Sequence, residues 1–169
     1  NTPKSSLTGN IHGMPLASIL GRGHSSLLSL ADELSFVDSQ NTYLLGVRAT
    51  DEKEKEFLQK SKVTCYLMED IRERKVEVVS KELMENLIER VGFLHLSFDL
   101  DVLDPTIVPG VNTPVAGGMT WSELKVLFEP IIASKKLRSM DLVEYNPRQD
   151  PRGDSAKAAE KILELLFIP

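Results

Sequence analysis

The chain has 169 residues and 41% hydrophobic content, enough for one ordinary domain with one packed core. A formal charge of -5 gives no basic field for a phosphate backbone, and no Lys/Arg-rich run stands where a contact would need one, which argues against nucleic acid as a partner. The apolar runs fall well short of the roughly 20 residues of a membrane helix, and a single cysteine, Cys65, cannot close an internal disulfide, so neither a bilayer nor an oxidising compartment is expected.

Asn1-Thr2-Pro3 is neither an initiator methionine nor a targeting segment, so upstream material is expected. Pro15 suits the first turn of a helix that Gly21 would end, and residues 27–34 are ambiguous. Tyr43 to Arg48 reads as a strand, and Asp51 to Lys60 as a helix opened by a capping-box pair, Asp51 and Glu54. Val63 to Met68 is a second strand, with Cys65 as a small hydrophobe inside it; Val76, Val79, Leu83 and Leu87 then predict a helix to about Arg90. In the third strand Phe93, His95, Ser97, Asp99 and Asp101 alternate with Leu94, Leu96, Phe98 and Leu100, which would turn both aspartates to one face before Asp104-Pro105 ends it. A loop rich in proline and glycine leads to Thr120 and Glu123, a second capping box opening a helix through about Ala133 that Pro130 should kink. Leu137 to Tyr145 is the fourth strand, broken by Asn146-Pro147, and Ser155 to Phe167 carries a last amphipathic helix ending near Pro169.

Strands alternating with helices predict the α/β class, a three-layer αβα arrangement around a parallel sheet. Ligands of such sheets bind beyond the carboxyl ends of the strands, which selects Arg48, Asp51, Asp99, Asp101 and Glu144. Two carboxylates two strand positions apart lie roughly 6.6 Å apart at Cα and repel one another, a cost that a divalent cation between them removes. Oxygen donors suit magnesium and manganese. The plainer reading is that Asp99 caps a turn and Asp101 shapes one with Asp104-Pro105, and a bare Asp-x-Asp favours it.

The surroundings shift that balance. Residues 97–105 and 109–118, Ser-Phe-Asp-Leu-Asp-Val-Leu-Asp-Pro and Pro-Gly-Val-Asn-Thr-Pro-Val-Ala-Gly-Gly, closely resemble the signature of the ureohydrolase superfamily. Residues 9–15 (Gly-Asn-Ile-His-Gly-Met-Pro) and 140–147 (Met-Asp-Leu-Val-Glu-Tyr-Asn-Pro) resemble arginases in particular. The resemblance runs in order along nearly the whole chain and implies that residues 1–169 are the carboxyl-terminal part of a single arginase-like domain, a partial fold.

That resemblance also implies manganese-dependent hydrolysis of L-arginine to L-ornithine and urea, by hydroxide bridging two manganese ions per active site. Asp99 and Asp101 match metal ligands, Asp101 also serving catalysis, while Glu144 matches a guanidinium clamp and His12 a proton shuttle. Asn1, Ser6, Thr8, Asn10 and Asp51 match positions that read the amino-acid end of the substrate; Glu54 and Thr113 are further substrate-binding candidates. Each has a plainer alternative: His12 as a surface residue, Asp51 with Glu54 as a helix cap, Thr8 and Asn10 as turn formers, Glu144 paired with Arg148. His95 and His24 read as structural.

The family's remaining metal ligands belong to upstream motifs not found in these residues, so the chain alone is expected to be inactive. Asn112 stands where glycine is usual, Thr8 where serine is usual, and Ala49-Thr50 where an aspartate often precedes Asp51. Agmatinase is the near rival, and a non-catalytic ureohydrolase-like regulatory subunit the rival of another class. The resemblance further implies a homotrimer or hexamer and a cytoplasmic location, with the mitochondrion left open.

Overall fold

The computed structural model describes residues 1–30 and 36–167. The latter part of the ambiguous stretch 27–34, and the end of the last helix near Pro169, lie outside the described residues. Two compact units divide the chain, Asn1–Leu45 with Ala49–Cys65, and Gly46–Arg48 with Tyr66–Pro169.

In the first unit Pro15 opens α1 (Pro15–Ile19), where a missing N–H costs nothing, and Gly21 follows it at φ 75°, the left-handed step that ends the helix. A short α2 (Ser25–Leu28) starts with Ser26 N–H on His24 Nδ1. β1 (Tyr43–Val47), whose last two residues belong to the second unit, precedes α3 (Glu52–Lys60), and β2 (Thr64–Leu67), whose last two also belong to the second unit, follows it and pairs with β1 in a two-stranded sheet. The capping box at α3 forms as read: Asp51 accepts from Glu54 N–H at 2.9 Å and Glu54 accepts from Asp51 N–H at 3.3 Å.

The second unit holds the larger core. Met68 opens α4 (Met68–Arg74) instead of ending a strand, because Asp70 accepts the Leu67 N–H at 2.9 Å and caps the new helix. Lys75, at φ 70°, then breaks α4 from α5 (Val76–Leu83). The expected helix to Arg90 continues only as a π-helical turn, Met84–Ile88, which keeps Leu87 and Ile88 buried; Lys136 Nζ donates to the Ile88 carbonyl at 2.6 Å.

β3 (Leu94–Asp99) and β4 (Leu137–Val143) pair in parallel, with Ser97 opposite Asp141 and Asp99 opposite Val143. Period two sorts the faces. Phe98 is buried and meets Phe128 edge-on at 5.7 Å, whereas His95, Ser97, Asp99, Ser139, Asp141 and Val143 are exposed. His95 shares this exposed face with Asp99, its Nδ1 2.8 Å from Ser139 Oγ and its Nε2 3.3 Å from Asp141.

The facing helix α6 (Trp121–Ser134) buries Leu124, Leu127, Phe128 and Ile131, an i, i+3, i+4, i+7 stripe, after the Thr120–Glu123 capping box. It runs unbroken through Pro130. The proline has no N–H for the Val126 carbonyl four residues back, and the buried Ser80 of α5 donates to that oxygen at 2.8 Å instead. The last helix, α7 (Asp154–Phe167), is anchored by fully buried Ser155, whose Oγ accepts Gly110 N–H at 2.7 Å.

The third strand differs from its expected form at one decisive point. β3 ends at Asp99, and Asp101 lies in a 3-10 turn, Leu100–Val102, so a period of two does not bring the two aspartates to one face. The reason is apolar spacing. Leu100 and Leu103 are both fully buried, three residues apart, and an extended strand would send one of them outward.

Candidate functional site

The candidate residues fall into two groups, one in each unit. In the first, Asp51 is the hub: its Oδ1 takes the Glu54 N–H and its Oδ2 takes Asn1 Nδ2 at 2.9 Å. Those donors, the Glu54 N–H first and the Asn1 amide second, hold the Asp51 carboxyl below the usual carboxylate range. Glu54 Oε1 lies 2.9 Å from the Asn1 nitrogen, and Ser5 Oγ donates to Asn1 Oδ1 at 2.9 Å. Asn1, Asp51 and Glu54 are therefore brought together. Asp51 and Glu54 form the cap of the plainer reading as well, with one carboxylate oxygen of Asp51 in each role.

Ser6, Thr8, Asn10 and His12 follow on one loop. Ser6 Oγ accepts Gly9 N–H at 3.0 Å, and Thr8 Oγ1 accepts Asn10 N–H at 3.2 Å, the turn bond of the plainer reading of Thr8 and Asn10. Both hydroxyls keep their own O–H for an outside acceptor. Asn10 leads into the 3-10 turn Ile11–Gly13 without a side-chain capping bond, and His12, on that turn, is exposed.

The second group stands at the carboxyl ends of the paired strands. Asp99 ends β3, and the half-buried Asp101 follows, its Oδ2 accepting from Thr113 Oγ1 at 3.1 Å. The register places Glu144 one residue past the partner of Asp99. Glu144 has φ 65°, a left-handed conformation that costs a non-glycine residue on the order of 1 kcal/mol or more. Arg148 does not pair with Glu144 as the plainer reading would have it; its backbone N–H goes to Asn146 Oδ1 at 3.0 Å.

The loop that carries Thr113 is tied down twice. Asp104 accepts from Thr106 N–H and Oγ1 at 3.0 and 2.7 Å, and from Gly117 and Gly118 N–H at 2.9 and 3.1 Å, which holds its carboxyl below the usual range, Thr106 contributing most. A Cβ on Gly118 would sit 2.4 Å from Asp104 N, so only glycine fits that approach. Beyond it, Asn146 N–H donates to Gly110 O at 2.8 Å and Asn146 Nδ2 to Asn112 Oδ1 at 2.5 Å. Asn112, in the usual place of glycine, thus ties the Thr113 loop to the segment after Glu144.

Asp99, at the end of β3, and Asp101, in the 3-10 turn that follows, offer the oxygen donors a hard or borderline divalent ion takes. Among the described residues no group of three or more His, Cys, Asp or Glu side chains could hold a metal. The donor type of these two carboxylates fits manganese.

The sequence marks Arg48 as a strand-end residue and signals no partner for it. In the structure its guanidinium reaches backbone carbonyls in the Leu100–Val102 turn, a pairing across 53 or more residues that no local pattern signals. The Asn112–Asn146 bond was equally invisible.

The Arginase family model matches residues 1–168. An arginase of Bacillus caldovelox is 38% identical over 167 residues, covering 99% of this chain and 56% of that protein. Its native crystal structure superposes with a TM-score of 0.94 over 100% of this chain and 56% of its own. The arginase of Entamoeba histolytica in complex with L-ornithine gives a TM-score of 0.89 at 31% identity, covering 100% of this chain and 56% of its own. A hypothetical agmatinase of Burkholderia thailandensis, at 22% identity and a TM-score of 0.67 over 85% of this chain and 43% of its own, shares the fold alone. The chain spans about half the length of the curated relatives it matches. With a family model running from the first residue to within one of the last, and relatives above 30% identity across its length, the chain belongs to the arginase family.

Proposed function

We propose that the protein containing this chain hydrolyses the guanidinium group of L-arginine to L-ornithine and urea in a manganese-dependent reaction. The observation that carries the reading is the grouping at the strand ends: Asp99 and Asp101 in succession, Thr113 on Asp101, and Glu144 beside them on the parallel neighbour. The bacterial relatives named as arginases, and the amoebal arginase bound to L-ornithine, point to the same chemistry.

Asp99 and Asp101 would hold manganese, two ions per site once further ligands are supplied. When bound, such ions supply Lewis-acid polarisation and make water acidic enough to yield a nucleophile near neutral pH. Glu144, in its left-handed backbone conformation, would receive the planar guanidinium by paired charge-assisted hydrogen bonds. Thr113 lines the same end and donates to the Asp101 carboxylate.

In the other unit Ser6 and Thr8 have O–H donors suited to an α-carboxylate, and the ionised Asp51 suits an α-ammonium, with Asn1, Asn10 and Glu54 around them. His12, an imidazole suited to general acid–base work, would pass a proton to the leaving amine. We further propose a cytoplasmic homo-oligomer, trimer or hexamer, testable by light scattering.

Urea release from arginine and from agmatine, assayed on the full-length protein with manganese, tests the reading. Arginine is expected to be preferred by at least about 10²-fold, since agmatine leaves the carboxylate-reading hydroxyls unpaired. A preference for agmatine would refute the roles of Ser6, Thr8 and Asn10. No urea from either, with no manganese bound, would point to a non-catalytic regulatory subunit.

A further inference from the structure

We infer that Arg48 is a positioning residue for Asp101, acting through the backbone of the Leu100–Val102 turn; the inference rests on the reading of Asp101 as a manganese ligand. Arg48 directly follows β1 and is half-buried in the second unit. Its Nη1 donates to Val102 O at 2.9 Å and, more weakly, to Gly46 O at 3.5 Å, while its Nη2 donates to Asp101 O. Its Nε is buried with no partner among the described residues, so the guanidinium is placed for its fork.

The other oxygens of the turn are served by the backbone. Leu100 O accepts Leu103 N–H at 3.2 Å, and Val102 O also accepts Met119 N–H at 2.8 Å. Arg48 supplies the donor to Asp101 O and so completes the turn at the residue whose direction matters. A planar guanidinium can hold two successive carbonyls in one geometry, which a lysine cannot. Asp101 is thereby held from two sides, its backbone by Arg48 and its carboxylate by Thr113. The Cα–Cβ direction of a ligand turn sets where its oxygens point, and loss of such outer support typically weakens metal binding 10–100-fold.

The test is a manganese titration of the full-length protein, followed by electron paramagnetic resonance, on the wild type, Arg48→Met, Arg48→Lys and Arg72→Met. Arg72 is the control: it makes the same kind of bond, to Gly118 O at 2.8 Å, in the same unit without touching Asp101. Arg48→Met is expected to weaken manganese binding about 10–100-fold, Arg48→Lys by a smaller factor, and Arg72→Met by less than about twofold. Unchanged affinity in Arg48→Met overturns the inference, as does an equal loss in Arg72→Met, which would mark a general loosening. If Arg48→Met does not fold, Arg48→Lys decides: reduced affinity in a folded protein supports the role, and wild-type affinity overturns it. A wild type that binds no manganese overturns the reading of Asp99 and Asp101 itself, a failure seen before any variant is made.

Discussion

The two groups of candidate residues are built in opposite ways. In the first unit the bonds that shape the loop and the cap are mostly short in sequence: Ser6 to Gly9, Thr8 to Asn10, Asp51 to Glu54. In the second they are long: Arg48 to Asp101 and Val102, Asn112 to Asn146, Thr113 to Asp101, all above a core in which Leu100, Leu103 and Leu124 are almost wholly buried. A turn held by local bonds leaves its side chains exposed, which suits residues that meet the polar end of a substrate. A turn seated on a close-packed core cannot drift, which suits ligands whose geometry must be set in advance.

The largest effect should come from removing a strand-end carboxylate. Asp99→Ala in the full-length protein is expected to lower kcat for arginine by about 10⁴-fold, about 5 kcal/mol of barrier, with Tm little changed. Retention of a tenth of wild-type turnover would mean that Asp99 is not a ligand. Next in size is the core beneath. Phe128→Ala removes the ring that meets Phe98, and the loss should be about 3–5 kcal/mol in urea denaturation. A loss below about 1 kcal/mol would mean that the strand-end group is not seated on a cooperative core.

A smaller effect separates packing from hydrogen bonding. Ser80→Ala leaves the Val126 carbonyl without its donor and should cost about 1–3 kcal/mol. Pro130→Ala restores the N–H that the helix lacks, so the double variant should recover much of that loss. Simple additivity of the two changes would show that Ser80 matters for volume alone.

These contrasts also explain what was legible in the sequence. Capping boxes at Asp51 and Thr120 and the helix start at Pro15 are local signals and stand where the sequence puts them; the four strands are periodic signals that form in the expected order, each ending earlier than expected, at Val47, Leu67, Asp99 and Val143. The strand-like pattern through Asp101 misled because alternation counts polar and apolar residues without asking which apolar ones are buried; Leu100 and Leu103 impose a period of three. Pro130 misled for a related reason, since the relief of its orphaned carbonyl comes from Ser80, 50 residues earlier. Residue types at the candidate positions were legible through the resemblance. Their holders, Arg48 and Asn146, were not, because contacts across about 30 to 50 residues leave no trace in spacing.

The smallest predicted effect tests the local construction of the first group. Asp51 accepts the Glu54 N–H and the Asn1 amide, and its folded pKa is lowered by them. A depressed carboxyl stabilises the fold above its unfolded pKa of about 3.9 and loses that contribution as pH falls through the lower folded value. Asp51→Ala removes the titrating group and the cap together. The Tm difference between wild type and Asp51→Ala should therefore be constant from about pH 7 to pH 5 and shrink below about pH 4. The effect is expected to reach α3 first, seen as earlier amide exchange at Glu52–Glu54, while exchange at β3 and β4 stays unchanged. A Tm difference that stays flat down to pH 2 would show that the Asp51 charge contributes nothing, and that the cap works by geometry alone.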